Sequence, residues 1–240
     1  MELEEFRKEM IKYFEDLNIN ITEKQLEKFY KYMNLLIDWN EKINLTAIIE
    51  PKEIILKHFV DSLTINKYID KNAKLVDVGT GAGFPGIPLK ILRLDVDITL
   101  VDSLNKRVKF LDEVIQKLEL EGIKTIHGRA EELGKNKEHR ENYDVATSRA
   151  VANIATLSEY MIPFVKEKGN CIYMKGPEVK QELLNGKKAI NVLGGEIIKE
   201  EEFNLPKSDI KRTIIIINKT RKTPNNYPRK AGIPAKEPIM

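Results

Sequence analysis

Two kinds of hydrophobic pattern divide the chain near residue 73. Before it, apolar residues recur at helical spacing over Leu3 to Leu17, Glu23 to Trp39 and Pro51 to about Asn66. Phe29, Tyr32, Met33, Leu36 and Ile37 fall on one stripe of the second segment, as a packing surface requires. Thr22 precedes that segment with Gln25 three positions on, the spacing of a capping box. A polar connection, Asn40 to Thr46, leads towards the third segment, which carries His58, Asp61 and Ser62.

From Ala73 onward, short strand-like runs alternate with helical segments. Strands are predicted over Lys74 to Gly79, Asp97 to Asp102, Ile123 to Gly128, Tyr143 to Ser148 and Asn170 to Lys175. Helices are predicted over Pro85 to Leu94, Leu104 to Leu120, Ile154 to Lys166 and Glu178 to Leu193. Such alternation predicts an α/β fold with a doubly wound parallel sheet and a ligand at the carboxyl ends of the strands. Two further runs, Gly195 to Phe203 and Arg212 to Asn218, follow with no helix between them and suit an antiparallel hairpin. From Thr220, Pro and basic residues dominate, which predicts an extended or flexible tail. The expected division is a helical extension over 1–72 packed on the core, a core over 73–218 and a basic tail over 219–240.

The stretch Lys74 to Pro88 organises the rest. Gly79, Gly81 and Gly83 follow a β-branched strand and lead into a helix start. Glycine serves a turn closed to residues with a Cβ, and lets a ligand approach the main chain. This is a nucleotide or nucleoside cradle. Gly81-Ala82-Gly83-Phe84-Pro85-Gly86 also satisfies the dinucleotide fingerprint, so a NAD site stays open at this point. Asp77, inside the strand, is expected to reach ligand or turn amides, since a carboxylate in a central strand needs partners. With Asp77, the turn resembles that of class I S-adenosylmethionine (SAM) methyltransferases.

Asp102 ends the second strand about 20 residues after the turn, where a carboxylate accepts hydrogen bonds from both ribose hydroxyls of NAD or SAM. A helix N-cap is its plainer reading. Ala130 and Glu131 follow the third strand, where SAM enzymes read the adenine edge; Glu131 and Glu132 alone would make an ordinary acidic first turn. Arg149 closes the fourth strand at the predicted active edge, where it can meet a carboxylate, a phosphate or a purine.

Composition narrows the classes. Of 240 residues, 32% are charged and 42% hydrophobic, as in a globular protein. No apolar run approaches a membrane span, and the acidic start Met1-Glu2-Leu3-Glu4-Glu5 is unlike a signal peptide, so a cytoplasmic protein with no membrane association is expected. Cys171 is the lone cysteine, and His58, His127 and His139 share no ligand-like spacing, so neither disulfides nor a metal site is expected. The net charge is +3, but from Asn218 to Met240 six basic side chains face one acid, which leaves the remainder two charges negative. A basic tail on a near-neutral body points to a polyanionic partner.

Seven elements together carry a resemblance to one family: Asn44-Leu45-Thr46, His58-x-x-Asp61-Ser62-Leu63, Asp77 to Gly86, Asp102-Ser103-x-x-Lys106-Arg107, Gly128-Arg129-Ala130-Glu131, Ser148-Arg149-Ala150 and Lys175-Gly176. The chain resembles the RsmG (GidB) family of bacterial methyltransferases that modify a guanine N7 in 16S ribosomal RNA. Asp77, Gly79, Gly81 and Gly83 belong to the turn itself. The resemblance implies SAM contacts at Gly79, Phe84, Asp102, Ser103, Leu104, Ala130, Glu131 and Arg149. On the substrate side it implies Asn44, His58, Asp61, Lys175 and Arg212, beside Arg149. The partner implied is 16S rRNA or the small ribosomal subunit, met by a protein expected to be monomeric.

Guanine N7 carries a lone pair and no proton, so the implied reaction needs in-line positioning and exclusion of water rather than a general base. No catalytic dyad is expected. Phe84 or Tyr173 is expected to stack on the base, and the basic tail to contact phosphates. Competing readings are a methyltransferase of the same fold acting on a small molecule or protein, a NAD-dependent oxidoreductase and a non-catalytic RNA-binding protein.

Overall fold

A computed structural model describes residues 1–149 and 151–240; Ala150, the last residue of the Ser-Arg-Ala element, lies outside the described residues. Strands β1 (Lys74–Val78), β2 (Asp97–Asp102), β3 (Ile123–His127), β4 (Tyr143–Arg149), β5 (Val165–Lys175), β6 (Gly195–Asn204) and β7 (Lys211–Lys219) form one sheet in the order β3-β2-β1-β4-β5-β7-β6. The β1, β2, β3, β4 and β5 pairings are parallel. β7 joins β5 antiparallel and pairs with β6 as a hairpin. The order reverses direction at β1, and the glycine turn leaves β1 at that switch point.

Central strands bury both faces, and their two-residue period sorts side chains between two cores. Ile214 and Ile216 of β7 join one core, whereas Ile215 and Ile217 join the other. Helices α1 (Leu3–Asp16) and α2 (Glu23–Ile43) supply Phe6, Phe14, Phe29, Tyr32 and Leu36 to the first core, alongside Leu75, Ile98 and Leu100 of the sheet. The predicted capping box exists: Gln25 N donates to Thr22 Oγ1 at 3.3 Å, and Thr22 N to Gln25 Oε1 at 2.9 Å. Asn44 closes α2 in the left-handed region with φ 50°.

The third predicted helix is broken. It runs as α3 (Pro51–Ile54), a π-helical segment (Ile55–Val60) and α4 (Asp61–Leu63), with His58 in the wide turn. Such bulges re-aim side chains and often mark functional positions.

Helices α5 (Gly86–Leu92), α6 (Asn105–Lys117), α7 (Ala130–Leu133), α8 (Ile154–Met161) and α9 (Lys180–Val192) cross between strands or flank them. Helix α8 stops earlier than the predicted Lys166, because Pro163 cannot continue it, and β5 begins at Val165. Close packing at the glycine turn limits residue 86: a Cβ on Gly86 would come within 2.3 Å of Leu100 Cδ2 and 3.0 Å of Asp77 Oδ2.

The tail departs from expectation. Residues 219–240 lie against the second core, with Tyr227 and Ile239 packed on it and a short helix α10 (Ile233–Lys236) against α8. Lys219 is buried, its Nζ donating to the carbonyls of Ile162 and Val165 at 3.0 Å each. Arg229 chelates Glu159, and Arg221 donates to Asn191. Two of the six basic side chains on which the polyanion expectation rested, Lys219 and Arg229, are thus engaged by buried partners; Arg221, bonded to Asn191 at the surface, and Lys222, Lys230 and Lys236 are exposed. Composition resembled a linker, but specific polar pairing holds the segment in place.

Candidate active site

Strand β1 brings Asp77 to the floor of the glycine turn, where it is fully buried. Its Oδ2 accepts from Thr80 Oγ1 at 2.7 Å and from Gly86 N at 2.9 Å, so it ties the turn to the start of α5. Oδ1 is buried with no partner among the described residues. Burial pushes the Asp77 carboxyl up to about 7, against the pull of the Thr80 and Gly86 hydrogen bonds. Of the two partners its sequence position allowed, ligand or turn, the structure shows the turn.

Above this floor lies a cleft of about 400 Å3, lined by Gly79, Thr80, Gly81, Phe84, Asp102 and Ser103 on one side and by Thr46, His58 and Arg149 on the other. That volume lies within the range of small-ligand sites, roughly 300–1,000 Å3. Gly81, at φ +64°, would present a Cβ to open space. A side chain there would be strained and would stand in the cleft.

Asp102 is 2% exposed. Its Oδ2 accepts from Gly81 N at 2.9 Å and Oδ1 from Leu104 N at 2.9 Å, with Arg107 Nη1 3.4 Å away. Helix α6 starts at Asn105 with Leu104 as its cap residue, so the N-cap reading of Asp102 is not realised. A carboxylate has about four lone-pair sites; with three donors already on it, one on Oδ1 remains for a ribose hydroxyl, and a second opens if the long Arg107 contact gives way.

The opposite wall is built by the N-terminal extension. The His58 ring stacks on Phe84, centroids 4.4 Å apart at 21°, and the Arg149 guanidinium lies 4.8 Å from the centre of the Phe84 ring. Arg149 Nη2 donates to His58 Nδ1 at 3.1 Å, and Nη1 lies 3.3 Å from Asp61 Oδ2. Arg212 Nε reaches the same Asp61 oxygen at 3.1 Å. Because a guanidinium only donates, His58 Nδ1 is an acceptor, and Nε2–H donates to Thr46 Oγ1 at 2.9 Å. Burial first, then the Arg149 charge, lowers His58 to about 3, so the ring is neutral. With both ring nitrogens engaged, His58 is a positioning group.

Behind this wall a second cavity, about 340 Å3, is lined by Ile48, Lys57, Asp61, Met174, Lys175 and Arg212, and it shares His58 and Arg149 with the cleft. Lys175 Nζ is held by the Ala152 carbonyl at 2.8 Å and by Glu182 Oε1 at 2.6 Å.

The structure therefore brings Gly79, Gly81, Phe84, Asp102, Ser103 and Arg149 to one cleft, and His58, Asp61, Arg149, Lys175 and Arg212 to the adjoining cavity. It does not bring all of the expected residues there. Asn44 is an exposed helix cap, and its neighbour Thr46 makes the contact to His58. The space behind Gly83 is filled by Ile87, Tyr32 and Leu111. Leu104, Ala130 and Glu131 stand outside the cleft lining. Tyr173, expected as a stacking platform, is fully buried in the second core with its hydroxyl donating to Ser158 Oγ at 3.0 Å. Thr80, Arg107 and Lys57 line these cavities without having been expected as site residues, although Thr80 and Arg107 lie within the motifs that carry the sequence resemblance. Thr80 could have been found from its place inside the glycine turn; Lys57 carries no signal in the sequence.

Comparison with known proteins decides among the readings. Residues 25–210 match the family model described as rRNA small subunit methyltransferase G. The chain belongs to that family. It is a methyltransferase that takes its methyl group from SAM, and with the family shown the oxidoreductase alternative falls away. A relative named ribosomal RNA small subunit methyltransferase G, from Desulforamulus reducens, is 54% identical, the match covering 93% of this chain and 94% of that one. The Alkaliphilus oremlandii protein of the same name is 49% identical over the whole of both chains. Among solved structures, M. jannaschii TYW2 in complex with AdoMet aligns with a TM-score of 0.51 at 14% identity, over 66% of this chain and 74% of that one. A precorrin-6y C5,15-methyltransferase from Geobacter metallireducens aligns with a TM-score of 0.50 at 11% identity, over 74% and 92%. These two likenesses concern the fold alone. Among the described residues of this family member, no helix is long and apolar enough to cross a membrane.

Proposed function

We propose that the chain transfers the SAM methyl group to N7 of a guanine in 16S ribosomal RNA, acting as a monomer in the bacterial cytoplasm. The observation that carries this reading is the pair of cavities sharing His58 and Arg149: one framed by the glycine turn and Asp102, the other by Asp61, Lys175 and Arg212. SAM, when bound, supplies an electrophilic methyl group on a sulfonium. Asp102 holds the ribose, and the turn at Gly79 and Gly81 gives the main chain close access to it. The second cavity receives the guanine. Asp61 accepts from the N1–H and N2–H of its Watson–Crick edge, the edge that distinguishes guanine from adenine. Arg149 and Arg212 hold the Asp61 carboxylate in place through Oδ2.

N7 needs no deprotonation, so the residues have only to align nitrogen and methyl and to keep water out. The neutral, doubly hydrogen-bonded His58 fits that division of labour. Past Arg212 the surface opens into a groove of about 940 Å3 with Lys180, Gln181, Phe203 and Lys211 on its walls, and this groove takes RNA flanking the target.

The test is transfer of labelled methyl from SAM to small ribosomal subunits lacking their native modifications, with the labelled nucleotide mapped. Label on a single guanine N7 is expected. Label on a small-molecule pool and none on RNA would overturn the assignment while leaving the SAM site standing.

A further inference from the structure

The C-terminal segment is secured in a way that reaches the expected adenine-reading residue. Arg140 grips its start, donating to the carbonyl of Tyr227 at 2.7 Å through Nη1 and to that of Thr223 at 2.7 Å through Nη2. Arg229 then lies along Glu159, a carboxylate with no exposure. The Arg229 backbone N–H donates to Glu159 Oε1 at 2.6 Å, Nε to Oε1 at 3.0 Å and Nη2 to Oε2 at 2.7 Å. Thr156 Oγ1 donates to the Pro234 carbonyl at 3.0 Å, which fixes α10 on α8. Between these anchors the chain turns at Gly232, φ +83°, a conformation that L side chains rarely adopt. That turn presents the Gly232 N–H to Glu131, and Oε1 accepts it at 2.8 Å.

Glu131 is 6% exposed, and its Oε2 has no partner among the described residues. One acceptor on a buried, immobilised carboxylate therefore remains for a ligand. The adenine 6-amino group is a donor of the right kind, and Glu131 follows β3 at the strand end where the adenine edge is expected. We infer that the C-terminal segment is a working part of the cofactor site: a strap that, through the Gly232 N–H, orients Glu131 to accept from the adenine 6-amino group. The inference rests on the SAM reading above. Glu131 touches the ligand, whereas Gly232, Arg229 and Glu159 are positioning residues. It also gives Arg229 a purpose other than RNA, which its contacts to Glu159 do not suit.

The test compares binding of S-adenosylhomocysteine and of S-inosylhomocysteine, in which a carbonyl replaces the 6-amino donor. The full chain is expected to prefer the adenosyl compound by about tenfold or more, the worth of one hydrogen bond to a charged acceptor. Removing residues 229–240 would leave Glu159 buried and unpaired, so the truncation is made together with Glu159→Gln, and folding is checked by thermal melting. The preference is expected to fall to within about twofold of unity, while affinity for the inosyl compound changes little. In a Glu131→Gln background the same truncation should have no further effect on the ratio. An unchanged preference in the folded truncated protein would overturn the strap. Equal weakening of both compounds would reduce it to scaffolding and overturn it as well. Failure of the full chain to bind either compound would instead strike the SAM reading.

Discussion

The two ends of the chain wrap opposite faces of the same sheet by different chemistry. The N-terminal helices bury an aromatic stripe in the first core, where Phe29 packs against Phe14 and Phe59 at ring-centre distances of 6.0 and 5.1 Å. The C-terminal strap lies on the second core but is held by a guanidinium on a buried carboxylate, by arginine donors on backbone carbonyls and by one amide on Glu131. Burial of apolar area is non-directional and tolerant of small shifts, whereas charge-assisted hydrogen bonds fail when one partner is removed. The first kind of wrap makes a wall; the second can fix a single carboxylate.

The largest effect is expected on the apolar side. Phe29→Ala should lower the free energy of unfolding by about 3–5 kcal/mol, measured by urea denaturation, because a fully buried ring leaves a cavity. A loss below ~1 kcal/mol would mean that the helices are loosely docked and that the cleft wall they carry is not rigid.

On the polar side, Arg229→Ala strands the Glu159 carboxylate in the interior and should cost about 3 kcal/mol. Adding Glu159→Gln should recover part of that loss, because the stranded charge disappears. Phe29→Ala has no such rescue. If the double variant were no more stable than Arg229→Ala, apolar contacts of Tyr227 and Ile239 would be what holds the strap, and the contrast between the two ends would dissolve.

This contrast also explains what could be read from the sequence. The α2 stripe, the capping box, the parallel sheet implied by alternation and the glycine turn are local patterns with fixed periods, and each recurs in the structure. The place of Asp102 beside the cleft was legible because its strand end lies at a known spacing from the turn; its bond to the Gly81 amide was not foreseen. Nor was the strap, since Arg229 and Glu159 are 70 positions apart and nothing in a Pro-rich basic segment marks one arginine as internal. Tyr173 was misplaced for a related reason: alternation along β5 sets which face a side chain takes, but not which face carries the site. Asn44 and Thr46 sit two positions apart in one motif, and only the left-handed end of α2 decides that the threonine meets His58.

His58, delivered by the N-terminal side, offers a pH test of that wall. Its folded value near 3 lies below the ordinary 6.5, so the unfolded chain takes up a proton first as pH falls. Its contribution to stability is complete above about 6.5 and is lost between there and 3, at up to about 1.4 kcal/mol per pH unit. His58→Gln should flatten stability-versus-pH curves in that window relative to the parent. Parallel curves would mean that the ring is solvated and does not seal the cleft.

The smallest effect asks whether the start of α2 matters once its stripe is packed. Thr22 accepts from the Gln25 amide in an exposed cap, and Thr22→Ala should cost about 1 kcal/mol of stability while leaving SAM affinity unchanged. The separation is informative because α2 also reaches the site side: the Tyr32 hydroxyl donates to the Ala82 carbonyl inside the glycine turn. A cap loss that frays only the first turn leaves Tyr32, nearly three turns further on, in place. If Thr22→Ala lowered SAM affinity, the helix would be responding as one rigid lever on the turn, and the N-terminal wrap would share the function assigned here to the strap.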